Sequence, residues 1–217
     1  MMTVGFYGKI ACRGDFIERN LAGDFLRSWD AWLAAGLQSS QQQLGSRWLD
    51  AYLTSPLWRF ALAPGVCGAA AMAGVLMPSI DRVGRYFPLT VAYRLGTDQP
   101  LQALQADEAW FEQIEELLLS TLEDGARLES FEAGVQALAP LPPASMPAAT
   151  HNHGLQHWPV LDAPGRLAAL AAQACDGASL WWGRGSQHIA AGLRRCRGLP
   201  PGESFAAYLL GPEGATR

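Results

Sequence analysis

Three sets of residues in this 217-residue chain have types and spacings that could do chemistry. His151, His153 and His157 lie together in THNHGLQH, and imidazoles this close can chelate zinc or copper. No Cys, Asp or Glu stands at a matching spacing, and the H-E-x-x-H pattern is absent. An exposed polar loop is therefore expected, with a small metal-dependent hydrolase built on these histidines as the alternative. Cys67, between Gly65 and Gly68, has the setting of a nucleophile in a glycine turn. With no base identifiable beside it, a buried small residue is expected instead. The third set is charged. Lys9, Arg13 and Asp15 follow the first apolar run, and Asp81, Arg82 and Arg85 crowd the turn of a later one. If these turns converge at one end of a sheet, arginine–carboxylate forks would fix the loops and present a patterned polar surface to a partner. The same pairing also occurs in turns with a purely structural role. Both readings stand, and Lys9, Asp15, Asp81, Arg82 and Arg85 are the candidate site.

The element that must carry the second turn is Gly74–Leu95. Phe87, Leu89, Val91, Tyr93 and Leu95 alternate with Pro88, Thr90, Ala92 and Arg94, the period of a half-buried strand. Val75, Leu76 and Met77 form a continuous apolar run, as in a strand covered on both faces. Asp81–Arg85 is a five-residue connection between them, and the hairpin is placed at the centre of the sheet. Upstream, Thr3–Tyr7 is a strand and Ile10–Cys12 a second short apolar run. Asn20 is placed as the cap of a helix whose Leu21, Phe25, Trp29, Trp32, Leu33, Gly36 and Leu37 recur at three and four. Gln38–Gln43 extends it and Gly45 stops it. Ser46 is expected to cap a second helix carrying Trp48, Leu49, Tyr52 and Leu53, ended by Pro56. Leu57–Leu62 alternates as a strand, with Trp58, Phe60 and Leu62 on one face and Arg59 on the other.

Asp107 is expected to cap a helix with Trp110, Phe111, Ile114, Leu117, Leu118, Thr121 and Leu122 as its stripe and Gly125 at its end. Its acids Glu108, Glu112, Glu115 and Glu116 could meet a basic partner, but read as a solvated face. Ala139–Gly165 holds six prolines and reads as a long surface connection. Ser179–Gly183 and His188–Arg197 look like strands, and Glu203–Leu210 like a closing helix. One domain over residues 1–217 is expected, with 139–165 as a loop inside it.

The composition excludes several classes. A net charge of −4 with only 17% charged residues offers no nucleic-acid footprint and no basic membrane patch. Lys9 is the only lysine. Nucleotide loops of the G-x-x-x-x-G-K-[ST] kind and G-x-S-x-G elbows are absent, and Gly183-Arg184-Gly185 lacks the third glycine of a dinucleotide fingerprint. No catalytic set and no cofactor are therefore expected. Cys12, Cys67, Cys175 and Cys196 are scattered without C-x-x-C pairs, and no export signal precedes them, as in a cytoplasmic protein. The uncharged run Leu62–Ile80 is broken by proline and glycine and does not read as a membrane span.

The ordered combination of Gly5-Phe6-Tyr7-Gly8-Lys9, Gly14-Asp15-Phe16, Trp29-Asp30-Ala31-Trp32-Leu33 and Trp58-Arg59-Phe60 resembles the TagF (also called ImpM) family. So does the run from Gly74 through Met77-Pro78-Ser79-Ile80-Asp81-Arg82-Val83-Gly84-Arg85 to Leu89. The resemblance covers Thr3–Leu95, with a weaker echo in Trp181-Trp182-Gly183 and Gly198-Leu199-Pro200. The order of the elements separately resembles an α+β sandwich of longin or profilin type, and an antiparallel sheet with helices on both faces is expected. The TagF resemblance implies an accessory protein of bacterial type VI secretion, not an enzyme, that represses machine assembly after translation by engaging a forkhead-associated scaffold protein. A structural subunit of the apparatus is the other expectation from the same system. Some relatives carry a phosphatase domain, for which this chain has no motif.

Overall fold

Period-two runs build a seven-stranded antiparallel sheet in the computed structural model, which describes residues 4–96, 99–101, 104, 107–144, 149–160 and 162–214. The strands are β1 (Val4–Gly8), β2 (Ile17–Arg19), β3 (Trp58–Leu62), β4 (Met72–Met77), β5 (Leu89–Arg94), β8 (Ala178–Gly183) and β9 (Gly192–Arg197), and a separate small ribbon contains β6 (Thr150–Asn152) and β7 (Leu155–His157). The order across the sheet is β2-β1-β5-β4-β3-β8-β9, so β4 is central, as the sequence predicts. β4 and β5 pair from Met72↔Arg94 to Met77↔Leu89, and the isolated bridge Ile80↔Tyr86 carries the ladder outward. That bridge makes Asp81–Arg85 the tip. Gly74 is obligatory here, since a Cβ would lie 2.1 Å from the Val91 carbonyl oxygen.

Helices cover both faces, giving an α+β fold with two apolar cores. On one face α3 (Glu108–Ser120), α4 (Leu128–Ala137) and α5 (Ala163–Cys175) meet Phe6, Val75, Met77, Leu89, Val91 and Tyr93. On the other, α1 (Gly23–Leu44), α2 (Trp48–Leu53) and α6 (Phe205–Gly214) meet Phe60, Leu62, Leu76, Ala92 and Trp181. Trp29 lies at the centre of this second core, fully buried among Phe25, Trp32, Phe60 and Trp181. Buried indoles need acceptors. The N–H groups of Trp29, Trp32, Trp48 and Trp58 donate to Thr90 Oγ1, Pro200 O, Ser40 Oγ and Tyr208 O.

Several local expectations change. β5 is buried on both faces, not one, because α1 covers Thr90 and Ala92 while the other core takes Leu89, Val91 and Tyr93. Asn20 does not cap α1; it holds a left-handed turn (φ 56°), and Ala22 precedes the helix without a side-chain bond. Gly45 does end α1, with φ 53°. Ser46 caps nothing: it lies inside the 3-10 turn Gly45–Arg47, whose last residue, Arg47, already has helical geometry (φ −80°, ψ −12°) and leads into α2 with no side-chain cap bond. Asp107 precedes α3 without a side-chain cap bond, and the helix stops at Ser120, short of Gly125. The short apolar run Ile10–Cys12 leads into a turn, with Ile10 fully buried. The last strand begins at Gly192, not His188. The 139–165 connection contains the β6–β7 ribbon and the start of α5. Thr3, and residues 145–148 and 161 of that connection, lie outside the described residues. No described helix is long and apolar enough to cross a membrane.

Candidate functional site

Gly8 closes β1 at φ +139°, where a Cβ would lie 2.1 Å from the Pro88 carbonyl oxygen. That close approach delivers Lys9, only 4% exposed, beneath the β4–β5 tip. Its ammonium donates to Asp81 Oδ2 at 2.5 Å, and Arg85 Nε donates to the same oxygen at 2.7 Å. Asp81 Oδ1 accepts the backbone N–H groups of Val83 (3.0 Å) and Arg85 (2.9 Å). The loop is thus wrapped around one covered carboxylate with both oxygens doubly satisfied, the condition under which a buried ion pair holds geometry instead of merely costing desolvation. Gly84 N–H donates to Asp81 O at 3.0 Å, and its positive φ (+87°), which favours glycine, turns the chain back toward Arg85.

The preceding turn is stitched to this tip. Arg82 N–H donates to Arg13 O at 2.9 Å, and the Arg85 guanidinium donates to Gly14 O. Ser79 Oγ donates to Lys9 O (2.8 Å), while the Tyr52 hydroxyl of α2 both donates to Ser79 O and accepts from Ser79 N–H, each at 2.9 Å. Phe16 lies beside the network, stacked on Tyr7 and edge-on to Phe87, with the Lys9 ammonium 4.5 Å from its ring centre. The Tyr7 hydroxyl donates to Asp30 of α1 at 2.5 Å, and burial with that carboxylate pushes it far above the ordinary tyrosine range.

Among the predicted site residues, Lys9, Asp81 and Arg85 therefore converge. Arg82 and Asp15 stand exposed above them, their side chains without partners among the described residues. Arg13 turns away, pairing with Glu129 at the start of α4 at 2.7 Å. Sequence reasoning missed Phe16 and Val83, which are 48% and 64% exposed at the same tip. The only signal was that both are apolar residues set among charges in turns.

The acidic response of this site follows from its wiring. Burial pushes the Asp81 carboxyl up, but Lys9, the two backbone amides and the Arg85 side chain more than offset it and hold it well below the ordinary 3.8. A depressed folded-state value means that the contribution is complete above the ordinary value and is lost as pH falls toward the folded one. Unfolding free energy of the wild type should therefore drop below about pH 4. Asp81→Asn should flatten that limb, so that the two proteins converge in acid. An equally steep limb in the variant removes Asp81 as its origin.

A second charged cluster was misread. Arg59 on β3 is 2% exposed and forms a fork to Glu115, Nε–Oε1 2.6 Å and Nη2–Oε2 3.0 Å, with Glu108 as a further partner. Arg184 pairs with Glu112 and lies 3.8 Å from Glu115. The acids of α3 are thus not all a solvated face. Glu108, Glu112 and Glu115 are paired to arginines, because α3 lies over the face of β3 that carries Arg59. Glu116 alone of the four is exposed and unpaired among the described residues.

The other candidates do not assemble. In the β6–β7 ribbon His157 is opposite Thr150 and His151 opposite Gln156, which places the two imidazoles on opposite faces. Among the described residues no three His, Cys, Asp or Glu side chains gather as a metal set. Cys67 is buried, its thiol pushed up to about 12 by burial and by Asp24, and so protonated and unreactive.

Fold and site together define a mixed α+β protein that braces a polar hairpin tip against its first turn. The sequence profile of the TagF N-terminal domain, type VI secretion system-associated, matches residues 5–138, and the chain belongs to that family. It is also similar to PA0076 from Pseudomonas aeruginosa PAO1, whose crystal structure at 2.05 Å superposes with a TM-score of 0.92. The identity is 56% over 96% of this chain and 94% of that one. No curated protein matches. β8 and β9 lie beyond the profile's span, yet they complete the same sheet.

Proposed function

We propose that this type VI secretion-associated protein acts in the cytoplasm as a post-translational restraint on machine assembly, by holding a forkhead-associated scaffold protein. The hairpin tip is the contact surface. The observation that carries this reading is the division of labour at the tip. Lys9 and Asp81 are covered, and with the exposed Arg85 they spend their charges on loop geometry, while Asp15, Phe16, Arg82 and Val83 stand exposed on that pre-organised frame without such a role. Pre-organisation lowers the entropy cost of binding, and exposed aromatic and arginine side chains are the usual anchors of protein interfaces. The paired variant Arg82→Glu, Val83→Asp tests the surface alone, since neither side chain holds the loop. Scaffold capture should weaken about tenfold or more at an unchanged thermal midpoint. Full capture by this variant sinks the tip as the contact. Constant stoichiometry within assembled, firing machines sinks the restraint and favours a structural subunit.

A further inference from the structure

The sheet ends in an edge that no other described strand covers. β9 pairs with β8 from Ala178↔Arg197 to Gly183↔Gly192, and among the described residues nothing pairs with its other side. An antiparallel strand with one neighbour directs the N–H and C=O groups of every second residue outward. The opposite edge, β2, has three residues against six in β9, and its Arg19 lies 3.2 Å from Glu132 of α4. β9 is the longer template.

The β9 edge is also basic. Residues 177–202 contain Arg184, Arg194, Arg195 and Arg197 and no acid, within a chain of net charge −4. Two of these arginines shape the edge. Arg194 spreads over Trp58 and Tyr208, 4.6 and 4.9 Å from their ring centres, and donates to Ala207 O. Arg195 Nε donates to Ala174 O at the end of α5 at 2.5 Å. Arg197 is exposed, with no side-chain partner among the described residues. Leu193, Arg195 and Arg197 alternate onto one face of β9, and Leu193 is 56% exposed.

We propose that the outer edge of β9 accepts an acidic, extended segment of a partner protein as an eighth strand. Main-chain bonds would supply affinity, and carboxylates opposite Arg195 and Arg197 would supply selectivity. A second copy of this chain is disfavoured by register. Two β9 strands related by a two-fold axis and overlapping by five residues set either Arg194 against Arg194 or Arg195 against Arg195, and like charges directly opposite are destabilising. Arginines that guard an edge against copies of itself do not guard it against acids. The site is separate from the hairpin tip and does not depend on the function proposed there.

The test uses the full chain and a labelled peptide alternating valine with glutamate, beside the same peptide with lysine in place of glutamate. Fluorescence anisotropy should give about tenfold or greater preference for the acidic peptide, weakening with added salt. Amide hydrogen exchange of residues 192–197 should slow on binding. Arg197→Glu should reduce acidic-peptide affinity severalfold, and Arg197→Gln less, both with unchanged thermal midpoints. Arg82→Glu with Val83→Asp should leave peptide binding intact. Equal or absent binding of the two peptides overturns the proposal, as does protection confined to other strands. A concentration-dependent dimer that protects β9 without peptide overturns the choice of occupant.

Discussion

Replacing Arg59 with methionine is expected to cost about 3–5 kcal/mol of unfolding free energy, read from the shift of the urea midpoint. Burial disfavours the guanidinium's charge, but the carboxylates of Glu115 and Glu108 more than compensate and raise its pKa further. Methionine fills much of the same volume while leaving the Glu115 side chain, 12% exposed, with only the distant Arg184 for company. The destabilisation therefore comes from the stranded carboxylate more than from the lost pair. Two consequences separate these terms. Adding Glu115→Leu to Arg59→Met should recover most of the loss, since an apolar pair of similar shape is often as stable as a buried ion pair. Glu116→Leu, on the exposed side of α3, should recover nothing. A cost below about 1 kcal/mol for Arg59→Met alone would mean that the fork behaves as a solvent-exposed pair.

The second large effect is expected from Trp29→Ala, which should cost about 3–5 kcal/mol, the range for emptying a fully buried tryptophan site. Four aromatic rings lose their common neighbour, with centroids now 4.8–6.0 Å from that of Trp29. The buried Thr90 hydroxyl loses its 2.9 Å donor. Trp29→Phe keeps most of the packing but not that donor, so about 1–3 kcal/mol of the loss should persist. The effect should extend to the tip. The next residue on α1, Asp30, accepts from Tyr7, and Tyr7 stacks on Phe16. Loosened seating of α1 should therefore also weaken the scaffold capture proposed for the tip, under conditions where the variant remains folded. Chemical denaturation and the near-ultraviolet circular dichroism of the aromatic cluster measure the first effect, and capture assays the second.

Much of the fold was legible because its signals are local. The alternation through Leu89–Tyr93, the three-and-four spacing of Phe25, Trp29, Trp32 and Leu33, and the charges crowded at Asp81–Arg85 each depend on residues close in sequence. The elements that escaped have weak local signals. β2 has only three residues, α4 buries only Phe131 and Val135, and α5 buries only Ala169 and Cys175. The candidate site was half legible. Charge at two turns pointed to Lys9, Asp81 and Arg85, but nothing local distinguished the inward Lys9 from the outward Asp15. Val83 and Phe16 looked like ordinary apolar turn residues until the frame beneath them was in place.

By itself the sequence determined which segments alternate and which repeat at helical spacing, and hence a central hairpin, a tryptophan-rich helix and a charged tip. Only the tertiary structure decided which polar side chains turn inward. A strand pattern reports its own two faces but not whether a second layer covers the polar one. Arg59 and Glu115 are 56 residues apart in the chain, and the arrival of α3 on that face turns a seemingly wet arginine and acid into a buried fork. The same holds for Lys9 and Asp81, 72 residues apart, whose pairing requires β1 and β5 to be neighbours in the sheet.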